Sequence, residues 1–74
     1  MNTIISSFEL YTGLEPKEGH KLLGLGYSTY AQYRSGIRPI PEYIERAIEF
    51  CMLLENSALN AQIRKHVFNG KING

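Results

Sequence analysis

The chain predicts an all-α fold, a compact bundle of about five short helices, and three observations lead there. Apolar residues recur at spacings of three and four in successive segments, and no β-type alternation of any length interrupts them. Glycines and prolines fall between those segments, where helices stop and start. The chain has 74 residues, enough for one domain and too few for two.

In the first segment, Ile4, Phe8 and Tyr11 fall at i, i+4 and i+7, so a helix over about Thr3–Thr12 presents one apolar stripe. Gly13 stops it. Pro16 suits the first turn of the next helix, where its missing N–H costs nothing. Leu22 and Leu23 turn that helix inward before Gly24 ends it. A short helix follows in which Tyr30 and Tyr33, three apart, point together into the core. Pro39 and Pro41 break the chain, and the second opens a helix carrying Ile44, Ala47, Ile48, Cys51 and Leu54, which ends near Asn56. Ser57 is the expected N-cap of a last helix with Leu59, Ile63 and Val67. Asn69-Gly70 ends that helix, and residues 71–74 read as a flexible tail.

Composition removes several classes of function. A lone Cys51 forms no internal disulfide, suits a reducing cytoplasm, and reads as a small core hydrophobe. His20 and His66 stand far apart with no cysteine or acid at ligand spacing, so no metal or other cofactor is expected. No Ser-His-Asp spacing, phosphate loop or paired carboxylates point to an enzyme. No apolar run approaches the roughly 20 residues of a membrane helix, and no secretion signal opens the chain. A cytoplasmic protein with no small-molecule ligand is the expectation.

Charge is uneven although the net is only +1. Residues 16–40 hold Lys17, Lys21, Arg34 and Arg38 against Glu18 alone, whereas residues 41–57 hold Glu42, Glu45, Glu49 and Glu55 against Arg46. The cationic segment also contains the most distinctive pattern of the chain. Leu22-Leu23-Gly24-Leu25-Gly26 reads as a helix end and a tight turn, and residues 27–36 as a second helix with a small, polar outer face. That is the layout of a helix-turn-helix, whose second helix lies in the major groove of DNA.

These residues, with Ile37-Arg38-Pro39-Ile40-Pro41 behind them, resemble the Cro/repressor-type (xenobiotic-response-element) regulators over residues 8–55. They are similar to small phage and mobile-element proteins of that kind, including autorepressors encoded beside anti-CRISPR genes. The resemblance implies a turn glycine at Gly24, a core residue at Leu25, and buried positions at Tyr30 and Tyr33. Base contacts are implied at Tyr27, Ser28 and Gln32, with Ala31 beside them. The family places a small residue where this chain has His20; here the small residue is Gly19.

Side-chain chemistry agrees with those assignments. Gln32 donates and accepts in one plane and matches the adenine edge; Ser28 bonds several base edges or a phosphate; Ala31 packs on a thymine methyl. Tyr27 gives its hydroxyl to phosphate or simply packs on the surface. Ser35 closes the face. Arg38 and Lys17 suit phosphate contacts, and Arg34 either does the same or pairs with Glu42 or Glu45.

The reading unit thus spans about residues 16–36 of a single domain over 1–70, with helices over 41–69 for core and dimerisation. Leu59, Ile63, Val67 and Phe68 offer the apolar surface for a homodimer, which would place two reading helices on half-sites about 34 Å apart. The expected function is a sequence-specific regulator, a repressor of its own phage or mobile-element operon. The competing expectation is a protein-binding accessory or anti-defence inhibitor on the same scaffold.

Overall fold

The computed structural model describes residues 3–68. The helices are α1 (Thr3–Thr12), α2 (Pro16–Leu22), α3 (Tyr27–Ser35), α4 (Glu42–Leu53) and α5 (Asn56–Ile63), and a π-helical turn (Arg64–Phe68) continues α5. No strand occurs among the described residues, and the all-α small bundle is the observed fold class.

Two apolar clusters hold the bundle. Ile5 and Phe8 of α1, Tyr30 and Tyr33 of α3, and Ile44 and Ile48 of α4 form the first. Leu14, Leu59, Ile63 and Val67 form the second. Leu22 packs against both and joins them. Burial of each such side chain stabilises the fold by about 1.5–3 kcal/mol.

The cluster centred on α1 corrects the expected stripe. Ile5 and Phe8 are fully buried, whereas Tyr11 remains 41 % exposed and Ile4 half-buried. The helix is therefore turned about its axis from the orientation that Ile4, Phe8 and Tyr11 would give. Tyr11 has its own partner instead: its hydroxyl donates to the Leu54 carbonyl at 2.6 Å and ties α1 to the end of α4.

The connection between α2 and α3 has a local cause. Gly24 takes φ +74°, a left-handed conformation that side chains with a Cβ resist. Its N–H donates to the Lys21 carbonyl at 3.1 Å and the Leu25 N–H to the His20 carbonyl at 2.9 Å. Together these two bonds make the Schellman stop that satisfies the last carbonyls of a helix. At the other end, the Glu15 N–H donates to Glu18 Oε1 at 3.2 Å, so the first turn of α2 is also closed.

The C-terminal half departs from expectation in three ways. α4 stops at Leu53, short of Asn56. α5 begins at Asn56 with Glu55 as its N-cap, so Ser57 lies inside the helix rather than before it. The winding then widens to a π-helical turn from Arg64, yet Leu59, Ile63 and Val67 all remain buried. These three residues pack against Leu14, Leu22 and Leu54 of their own chain. Their side chains are buried in the core of the chain itself. The expected stop at Asn69-Gly70 and the tail over 71–74 lie outside the described residues.

Candidate nucleic-acid interface

α3 is mounted on the bundle by two tyrosines. Tyr30 is fully buried and Tyr33 is 3 % exposed, as their spacing predicts. Gly19 of α2 permits the close approach. A Cβ there would lie 3.0 Å from Tyr30 Oη and 3.3 Å from Phe8 Cε2, so even alanine would force a shift. The small residue of α2 thus acts at Gly19, one position before the place the resemblance implies.

His20 occupies that place and has a different task. Its Nδ1–H donates to the Leu25 carbonyl at 2.8 Å, which sets the tautomer, and its ring meets Tyr27 edge-on with centroids 5.6 Å apart. One side chain therefore links the end of α2, the turn and the start of α3.

Beneath α3 sits a charged node that no local pattern foretold. Glu9 of α1 accepts on one oxygen, Oε2, from the Tyr30 hydroxyl at 2.6 Å and from Arg34 Nε at 2.9 Å. The Glu9 side chain is 16 % exposed and that of Arg34 39 %. Burial, reinforced by the bond to Glu9 and by its negative charge, pushes the Tyr30 hydroxyl well above the usual tyrosine range, so it remains a donor. The bond to Glu9 likewise holds the Arg34 guanidinium in its charged form.

This corrects the expected alternative for Arg34. Its carboxylate partner is Glu9, and Glu42 instead pairs with Arg46 at 2.7 Å on the exposed side of α4. That second pair is three-quarters exposed on both sides and contributes a few tenths of a kcal/mol. The Glu9 bond uses Nε and not the two Nη groups of Arg34. Glu9 also offsets part of the positive charge that residues 16–40 carry by themselves.

The outward residues of α3 are Tyr27, 49 % exposed, with Ser28 and Ser35 exposed and Ala31 and Gln32 half-buried. α3 contains no acidic residue. Ser35 Oγ donates to the Gln32 carbonyl at 3.2 Å. Arg38, just beyond the helix, folds back over it. Its N–H donates to the Gln32 carbonyl at 3.3 Å and its Nη1 to Gln32 Oε1 at 3.4 Å, while its guanidinium carbon lies 5.5 Å above the Tyr33 ring.

Tyr27, Ser28, Ala31, Gln32, Arg34, Ser35 and Arg38 therefore belong to one helix and its exit. Lys17 is set apart on α2, in a shallow depression lined by Glu15, Glu18 and Lys21. Its two acidic neighbours weaken it as a phosphate contact. Sequence reasoning missed Glu9 as part of this region and named His20 only as a departure from the small residue that the resemblance implies. The signal for Glu9 was faint: a carboxylate next to Phe8 on a helix with a buried face.

A second exposed surface lies on α4. Tyr43, Phe50 and Leu53 are 69 %, 63 % and 84 % exposed. Beside them an apolar groove of about 260 Å³ runs between Leu22 and Leu23, Ala47, Phe50, Cys51 and Leu54, with Gln62 and His66 at its edge. Burial pushes the Cys51 thiol above its usual range, consistent with a packed rather than a reactive cysteine. No helix among the described residues is long and apolar enough to cross a membrane.

Comparison of the chain with protein-family models, with curated proteins and with solved structures returned no match.

Proposed function

We propose that this protein is a sequence-specific binder of double-stranded DNA that places α3 in the major groove and regulates transcription as a homodimer in the cytoplasm. The observation that carries the reading is the outward face of α3. It is small and polar at Ser28, Ala31, Gln32 and Ser35, has no carboxylate of its own, and is bordered by Arg34 and Arg38. A groove edge rewards such a face, since each polar side chain finds donors or acceptors there, and the one bulky outward residue, Tyr27, stands at the start of the helix. The mounting supports it too, because base reading needs a helix held rigidly, and Tyr30, Tyr33 and the Glu9 node supply that.

In this reading Ser28, Ala31 and Gln32 face bases, and Tyr27, Arg34, Ser35 and Arg38 face the backbone, with Lys17 a peripheral cation. Repression of its own phage or mobile-element operon follows from the resemblance to Cro-type regulators. The dimer uses the exposed apolar face of α4, since Leu59, Ile63 and Val67 are already buried. Fluorescence anisotropy on duplex DNA from upstream of the protein's own gene, against a scrambled duplex, tests the proposal. Tighter binding to the upstream duplex is expected, with log affinity falling linearly in log salt. Absence of binding to either duplex at about 50 mM salt, where phosphate contacts are strongest, would sink it.

One observation favours a second reading. A face with Tyr43, Phe50 and Leu53 in water resembles the apolar centre of a protein interface. If α4 rather than α3 is the working surface, the protein is an accessory or anti-defence module that docks on another protein. Substitutions on α4 would then abolish function while substitutions on α3 would leave it intact.

A further inference from the structure

We propose that α4 pairs antiparallel with α4 of a second copy, and that Arg46 of each chain sets this direction by meeting Phe50 and Glu49 of the other. This rests on the homodimer in the reading above and adds how its two copies meet. The exposed residues of α4 are Glu42, Tyr43, Arg46, Glu49, Phe50 and Leu53. Tyr43, Arg46, Phe50 and Leu53 follow one another at three, four and three positions, the spacing by which two helices mesh along a shared seam. Glu42 and Glu49 each stand one position before an aromatic of that row and border it on one side. On the other side Ala47 and Leu54 line the apolar groove with Leu22 and Leu23. The core residues of α4, Ile44 and Ile48, lie outside the row.

The row is apolar except at Arg46, and that cation decides what can lie opposite. In a parallel pair each residue of the seam faces its own copy, so the two Arg46 guanidinium groups meet and repel. In an antiparallel pair, the register that sets Tyr43 against the partner's Leu53 also sets Arg46 against the partner's Phe50. A guanidinium over an aromatic ring is attracted to it.

The same register brings the partner's Glu49, next to Phe50 along the helix, to Arg46. Glu49 forms no ion pair among the described residues, and Arg46 holds Glu42 of its own chain at 2.7 Å. The five donors of a guanidinium suffice for both carboxylates. By two-fold symmetry each of these contacts is made twice. The face is thus complementary to itself when reversed, and this selects a second copy as its occupant. Four inner residues make a seam at the small end of specific interfaces, so one charge weighs heavily in it.

Sedimentation of the full chain at micromolar concentration tests the pairing with Arg46→Glu and Glu49→Lys, each alone and the two mixed, one of them carrying a fluorescent label. Alone, Arg46→Glu faces the partner's Glu49 and Glu49→Lys faces the partner's Arg46, so each should dimerise roughly tenfold more weakly than wild type or worse. Mixed, the two should form a heterodimer of twice 8.4 kDa, because Glu meets Lys on one side of the axis and Arg meets Glu on the other. Recovery on mixing also shows that both variants fold, as exposed positions lead one to expect. Single variants that dimerise like wild type, or a mixture that stays monomeric, overturn this proposal and leave a dimer on α4 standing. Arg46→Glu that pairs better with wild type than with Glu49→Lys would make the helices parallel and overturn it equally. A wild type that is monomeric with and without DNA overturns the homodimer reading itself.

Discussion

α3 and α4 each bury two residues on the same core, Tyr30 and Tyr33 in one case and Ile44 and Ile48 in the other. What they turn outward differs. α3 exposes serines and a tyrosine hydroxyl, groups that water already satisfies and that a base edge can satisfy equally. α4 exposes Tyr43, Phe50 and Leu53 beside an apolar groove, surface that water does not favour. A polar face left in water is unremarkable in stability and informative only through its shape and charge. A large apolar face left in water is informative through its cost, because it gains by being covered. The two helices thus make different claims: one for a directional polar partner, the other for an apolar one.

The largest expected effect strikes the mounting that both helices share. Tyr30→Ala should cost about 3–5 kcal/mol as a buried aromatic truncation and should remove DNA binding with the fold. Thermal melting reads it; a variant that melts like wild type would mean that α3 is seated differently.

Glu9 comes next. Glu9→Ala leaves the Tyr30 hydroxyl buried beside no acceptor and should cost about 1–3 kcal/mol in urea unfolding. Glu9→Gln keeps an oxygen for Tyr30 and Arg34 and should recover most of that loss. Equal losses in the two variants would show that the charge of Glu9, rather than its acceptor, holds α3 down.

Phe50→Ser with Leu53→Ser sharpens the contrast. Both residues are exposed, so the fold should change by only about 0.5 kcal/mol per site. Sedimentation at micromolar concentration should nevertheless lose the species of twice 8.4 kDa that is expected of the wild type. A wild type that stays monomeric with and without DNA would rule out a dimer on α4.

Arg34→Ala should change the salt dependence most, and because it removes one of the two donors to Glu9 it should also cost some stability, less than Glu9→Ala. One lost phosphate contact flattens the log–log slope by about 0.9 on specific and random duplexes alike. A change confined to one base pair would instead make Arg34 a base reader.

Particular residues show how far the chain could be read before its structure was known. Tyr30 and Tyr33 were legible as core because an aromatic pair three apart on a short helix shares one face. Gly24 was legible as a helix stop because its left-handed backbone is a local preference. The N-cap of α5 was misread by two residues, since Glu55, Asn56 and Ser57 stand in a row and all suit a helix start. Leu59, Ile63 and Val67 were legible as one apolar stripe, but a stripe shows only that something covers it. Leu14, Leu22 and Leu54 of the same chain do so.

By itself the sequence determined to within a few residues where helices begin, end and turn, because capping, glycine conformation and i, i+4 spacing act locally. It also determined the small, polar composition of the face on α3. The tertiary structure decided which partner each of the longer-range groups would have. Glu9 lies 25 positions from Arg34 along the chain and 2.9 Å from it in space. Tyr11 reaches across 43 positions to the Leu54 carbonyl. Coulomb attraction and packing depend on distance in space and not on separation along the chain. The rotation of α1 that buries Ile5 rather than Tyr11 therefore accompanies the placement of Glu9 against Tyr30 and Arg34.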